Sequence, residues 1–230
     1  SNYYMLTGWQ TVSGKRFYLE TGENGKATAK TGWFTLNNKT YYAKVDGEVV
    51  KGSIEIDGEI YIFHSSQYYM LTGFQSYGGK RYYLQKNGTA RTGWFTVGTD
   101  LYYGEPESKD GILKGTLASG AKEIHQKTYF FHTSSNYRLT GWQTVSGQRY
   151  YLKPDGTAKT GWFIIGGLTY YAEPETTESG VLQGTLAKGA KEIDGETYFF
   201  HSSNNNRLTG WQTINKVRYY LQANGKAKSG

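Results

Sequence analysis

Thirteen residues, TGWQTVSGQRYYL from Thr140 to Leu152, recur almost unchanged as TGWQTVSGKRFYL from Thr7, TGFQSYGGKRYYL from Thr72 and TGWQTINKVRYYL from Thr209, at intervals of 65, 68 and 69 residues. A chain that repeats itself at a near-constant period folds as a stack of like units, not around one central core. A second phrase, TGWF followed by a Tyr pair, starts at Thr31, Thr92 and Thr160. A third runs GSIEIDGEIYIFHSS from Gly52, GAKEIHQKTYFFHTS from Gly120 and GAKEIDGETYFFHSS from Gly189. The order is A-B-C three times and then A, ten units of about twenty residues, with insertions that make the intervals unequal. The cycles run over 7–71, 72–139 and 140–208, with a partial cycle at 209–230, in a single repeat domain over 1–230. The opening SNYYMLTG matches SQYYMLTG at Ser66 to Gly73, so the sequence is expected to start inside a repeat and to be a fragment of a longer protein.

Each unit carries the marks of a β-hairpin: β-branched and aromatic residues flank a two-residue turn such as Ser13-Gly14, Asn37-Asn38, Asp57-Gly58, Gly166-Gly167 or Asp194-Gly195. Counting outward from the turn pairs Trp9 with Tyr18 across the strands. The same count pairs Trp33 with Tyr42, Trp94 with Tyr103, Trp142 with Tyr151, Trp162 with Tyr171 and Trp211 with Tyr220. Because side chains alternate, Trp9, Thr11, Arg16 and Tyr18 share one face, and Gln10, Val12, Phe17 and Leu19 the other. Both faces are partly apolar, and a lone two-stranded hairpin is marginal, so each must stack on its neighbours. Asn24-Gly25, Asn87-Gly88, Asp155-Gly156 and Asn224-Gly225 supply a second turn between hairpins. The expected fold is all-β: an elongated β-solenoid of about ten stacked hairpins with essentially no helix.

Composition fits that architecture. With 22 Tyr, 10 Phe and 6 Trp in a chain that is only 37% hydrophobic, burial comes from many small aromatic clusters. The net charge of +7 is scattered, with no run of four basic residues, so charge alone selects no partner and a nucleic-acid partner is not expected. No stretch of 18 apolar residues predicts membrane insertion, and the absence of Cys excludes disulfides and thiolate metal sites. A monomer is expected.

These residues carry a resemblance. Units of the form TGWQT, a turn, then RYYL and NG, resemble the cell-wall-binding, or choline-binding, repeats of Gram-positive surface proteins. They are also similar to the C-terminal repeats of large clostridial toxins and to the glucan-binding repeats of streptococcal glucosyltransferases. The resemblance implies a β-solenoid that holds a secreted protein on choline-bearing teichoic acids, glucans or surface glycans, with no cofactor. In choline-binding repeats the Tyr pair is preceded by Trp, and aromatic faces cage the quaternary ammonium. Here that position holds Arg16, Arg81, Arg149 and Arg218 in the A units and Thr40, Leu101 and Thr169 in the B units. One wall of the cage is missing and Arg repels a cation, which favours carbohydrate as ligand, with choline as the alternative.

The ligand candidates are therefore the Trp–Tyr pairs and the four Arg, with a further feature in the C units. There Ser53, Ala121 and Ala190 take the place of Trp, opposite Ile62, Phe130 and Phe199. A few atoms in place of an indole open a groove, unless the residues opposite or a shifted loop fill it. His64, His132 and His201 recur once per cycle, too far apart to share a metal, and are expected to bond the Ser or Thr that follows. Every polar residue type comes in several copies and no catalytic motif is present, so the segment itself is expected to be non-catalytic, with any enzyme lying outside it. A spacer or protein-docking rod is the remaining reading.

Overall fold

A computed structural model describes residues 6–22 and 25–227. The first five residues of the opening SNYYMLTG, and Asn24 of the first Asn-Gly turn, lie outside the described residues. Among the described residues, 21 strands form ten antiparallel sheets and none is helical. Nine sheets are two-stranded hairpins; in the first, Gly8–Val12 and Lys15–Thr21 gain a third strand, Ala27–Ala29. The register matches the count from the turns: Trp9 faces Tyr18, Trp33 faces Tyr42, Trp142 faces Tyr151 and Trp211 faces Tyr220.

The turns explain why the register is fixed. Both central residues have positive φ, 50° and 76° at Ser13-Gly14 and 49° and 60° at Asn37-Asn38, the mirror-image turn whose twist suits a hairpin. His125-Gln126 and Asn215-Lys216 adopt it without glycine, at a cost of about 1–2 kcal/mol per left-handed residue. The glycine that opens the first strand of every hairpin, Gly161 among them, has φ between 65° and 75°. The invariant G of TGW is thus a backbone requirement, since a β-carbon there is strained.

Contacts gather into two units, one up to Ala118 and one from Ser119 onward, each holding five hairpins. Inside each unit the stacking is aromatic. In the first, Trp9 meets Phe34 and Tyr41 of the next hairpin, Trp33 meets Tyr61 and Phe63, and Phe74 meets Tyr102. In the second, Trp142 meets Tyr170, and Trp162 meets Tyr198 and Phe200. Such pairs add about 0.5–1.5 kcal/mol each beyond the area they bury. Between them sit small closed clusters, such as Ile60, Ile62, Tyr82, Leu84 and Ala90, as expected of a chain poor in aliphatic residues.

One hydrogen bond recurs with the stacking. In seven of the ten hairpins the carbonyl of the residue before the Tyr pair, or its C-unit equivalent, accepts an N–H from the loop beyond the next hairpin. Arg16 accepts from Val49, Thr40 from Met70, Ile60 from Ala90 and Arg81 from Leu117; Thr128 accepts from Ala158, Arg149 from Leu186 and Thr169 from Arg207, at 2.7–3.2 Å. The slot that differs from the choline-binding pattern in its side chain therefore keeps a shared backbone role.

Candidate ligand-binding sites

The alternation of faces places each A-unit Arg on the aromatic ring at the Trp position of its own hairpin. The guanidinium carbon lies 4.4 Å from the ring of Trp9 for Arg16, 4.4 Å from Trp142 for Arg149 and 4.6 Å from Trp211 for Arg218; Arg81 lies 4.4 Å from Phe74, which stands in the Trp position. Arg16 and Arg149 are pinned there, donating to the carbonyls of Ser66 and Asn204 at 3.3 and 2.9 Å. The sequence suggests an Arg that repels an incoming cation; the geometry adds that the Arg occupies the aromatic face itself. Trp9, Tyr18, Trp142 and Tyr151 are half-buried walls, and Phe74 packs against Tyr83 and Tyr102 in the same way.

The B units differ because Thr40, Leu101 or Thr169 cannot cover the ring. Trp33, Trp94 and Trp162 are 42%, 37% and 38% exposed. Trp33 has Tyr42 and Tyr61 at 4.9 Å, and no cation lies over it among the described residues. Trp162 has the same neighbours, Tyr171 at 5.0 Å and Tyr198 at 4.9 Å, but Arg207 stands 5.8 Å from its ring. Burial pushes the Tyr171 hydroxyl above its usual pKa of 10.0. Tyr42 and Tyr103 are half-buried, whereas Trp211 and Tyr220 of the last hairpin are 61% and 45% exposed.

In the C units Ser53, Ala121 and Ala190 do face Ile62, Phe130 and Phe199. The large residue opposite is buried against the following A hairpin: Ile62 joins Tyr82, Phe130 lies 4.4 Å from Tyr150, and Phe199 lies 5.1 Å from Tyr219. These residues take over the packing that Trp provides elsewhere, and they leave the small residue at a rim. Ser53 lines a cavity of about 380 Å³ together with Arg16, Lys51 and Tyr68; Ala121 lines one of about 340 Å³ together with Val145, Gln148, Tyr150 and Leu182. Ala190 is exposed.

The two cavities are not copies. The second is built from a C hairpin, the next A hairpin and the long connection after the B hairpin. In the first unit the place of Val145 is taken by Tyr77, whose hydroxyl hydrogen-bonds Ser53, lies over Gly52 and is held below its usual pKa of 10.0 by those bonds. The phenol thus plugs the equivalent space, and the first cavity opens instead between the A turn, the B-to-C connection and Tyr68.

The histidines cap turns. His64 Nδ1 accepts N–H bonds from Ser66 at 3.3 Å and Gln67 at 3.2 Å, and His132 and His201 repeat this with Ser134, Ser135, Ser203 and Asn204. The Ser hydroxyl sits 3.2–3.5 Å from the same nitrogen, so the role expected for these residues is the one the geometry gives them. Tyr68, Lys51, Glu48 and the 179–182 loop were not singled out by sequence. The only signal for the loop is length: Tyr42 to Gly52 is short, whereas Tyr103 to Gly120 and Tyr171 to Gly189 are long.

Comparison with known proteins agrees with this geometry. A model described as a putative cell wall binding repeat matches residues 7–26, 31–49, 72–90 and 209–227, and one described as a choline-binding repeat matches 139–177. Glucosyltransferase-S of Streptococcus mutans is 30% identical over 216 residues, which is 85% of this chain and 14% of the enzyme. Toxin A of Clostridium novyi is 29% identical over 131 residues, 56% of this chain and 5% of the toxin. The chain therefore spans a small part of both relatives. Among solved structures, choline binding protein F of Streptococcus pneumoniae superposes with a TM-score of 0.59 at 22% identity, covering 97% of this chain and 86% of that one, and so shares the fold. The chain belongs to the choline-binding, or cell-wall-binding, repeat family, with distant homology to the repeats of the glucosyltransferases and of the clostridial toxin.

Proposed function

We propose that this segment is a carbohydrate-binding module of a cell-surface or secreted protein, which holds cell-wall polysaccharide or surface glycan in the cavities beside the C-type hairpins. The observation that carries this reading is the cavity next to Ala121. It joins the apolar Val145, Val181 and Leu182, backed by the buried Tyr150, to Gln148, Ser146 and Ser179, with no charged side chain on its lining. Sugar rings offer apolar C–H faces and hydroxyl edges, and this wall matches both. Thr185 donates its hydroxyl to the buried Tyr150 at 3.1 Å, which fixes the floor of the cavity beneath the part-exposed Val145 and Leu182. The A-unit Trp faces, covered by their own Arg, support the reading from the other side, because a quaternary ammonium finds them taken.

Trp33 favours choline as the second reading: its exposed indole has Tyr42 and Tyr61 close by and no competing cation among the described residues. Calorimetric titration with short glucose oligosaccharides, beside retention on a choline resin, separates the two. Oligosaccharide binding without retention supports the carbohydrate reading. Retention that free choline reverses, with no oligosaccharide binding, replaces it by the choline reading, and neither result leaves a spacer.

A further inference from the structure

The two cavities differ in charge. Four cationic side chains, Lys15, Arg16, Lys44 and Lys51, line the first with one carboxylate, Glu48, whereas the lining of the second carries no charge. Glu48 is consumed internally, with Lys15 and Lys44 each 3.1 Å from its Oε2. Asp46 stands 3.8 Å from Lys15, and its Oδ1 accepts the Glu48 N–H at 3.0 Å. This leaves Arg16 and Lys51. Neither meets a carboxylate among the described residues: the Arg16 guanidinium lies 5.1 Å and the Lys51 ammonium 5.8 Å from the same Tyr68 ring, and Arg16 bonds only the neutral carbonyl of Ser66.

Two cations without a counter-charge, facing a half-enclosed space with an aromatic wall, concentrate anions and offer them charge-assisted hydrogen bonds. We propose that the cavity bounded by Arg16, Lys51, Ser53 and Tyr68 takes an acidic sugar unit, its carboxylate or phosphate held between the two cations, while the cavity beside Ala121 takes a neutral one. The module would then suit a polymer that carries both. This rests on the carbohydrate reading and names the ligand class of one of its two sites.

The test is titration of the whole chain with a glucuronate-containing tetrasaccharide, a neutral glucose tetrasaccharide and inorganic phosphate. The variants are Lys51→Gln, Lys51→Arg and, as a control for bulk charge, Lys86→Gln on a loop outside the cavity. Lys51→Gln is expected to weaken the acidic sugar about tenfold, with Lys51→Arg and Lys86→Gln within about threefold and the neutral sugar unmoved. Equal losses for Lys51→Gln and Lys86→Gln, or neutral binding with no acidic binding, overturn the proposal alone. If neither sugar binds, the carbohydrate reading falls. Phosphate then decides for the cavity: a shift of the Arg16 and Lys51 side-chain NMR signals keeps the anion site, and silence overturns it.

Discussion

Arg149 shows how one side chain takes up the aromatic face of its own hairpin. Its guanidinium covers the Trp142 face at 4.4 Å and is tied to Asn204, so the ring is used within the fold. Arg149→Gln removes a cation–π contact worth about 0.5–1 kcal/mol, and urea unfolding is expected to show a loss of that size. The freed face is also expected to gain weak choline binding, read as a change in Trp fluorescence; an unchanged choline titration contradicts the view that the Arg occupies the site. His132 is a second single-residue device, because its Nδ1 accepts two backbone N–H bonds. Asn can present an acceptor at a similar place. His132→Asn is expected to keep most of the stability that His132→Ala loses, about 1 kcal/mol by thermal unfolding. The sequence made the ring–Ser contact legible, since FHSS and FHTS recur. It did not reveal the Arg on the indole as a cap, because repulsion and occupation leave the same residue at the same position.

The hairpin was fully legible as an element. Alternation and the two-residue turns place every cross-strand pair, because a slip of one residue would turn each apolar face outward. The connections were not, since a cavity wall such as 179–182 or the Lys44–Glu48 segment is formed by loops with no period to read. The first B-to-C connection also carries a pH dependence. Glu48, hydrogen-bonded by Lys44 and then Lys15, titrates below its usual 4.5, and Asp46, bonded chiefly by the Glu48 N–H, below 3.8. A carboxylate lowered in the folded chain contributes stability that is complete above its ordinary value and is lost as pH falls through the lowered one. Lys15, raised above 10.5, gives up its share only as pH rises through its raised value. The connection is therefore expected to loosen in acid, below roughly pH 4. Hydrogen exchange reads this as falling protection of the Val49 N–H, while Ala90, whose N–H makes the equivalent bond beyond the uncharged Asn87 turn, keeps its protection.

At the level of the molecule, the cavity beside Ser53 lies in the first contact unit and the one beside Ala121 in the second, so the proposed function gives one polymer two sites to engage. Linked weak sites gain by roughly 10² over one site when both engage one polymer. Ala121→Trp restores the residue that A and B hairpins carry at this register and fills the second cavity. It is expected to lower affinity for a long polysaccharide by about that factor while leaving a short acidic oligosaccharide untouched; equal losses on both contradict multivalency. The sequence points to the C hairpins, through the missing Trp, as the place where a groove opens unless the residues opposite or a loop fill it. That Tyr77 closes one such space while Val145 leaves the other open depends on a position just before the turn, where the repeats differ freely. The most direct measurement is a crystal of the chain soaked with a neutral glucose oligosaccharide. The account predicts a sugar ring in the cavity beside Ala121, against Val145 and Leu182. An empty cavity, with sugar on the exposed faces of Trp33 and Trp162 or bound nowhere, would contradict it.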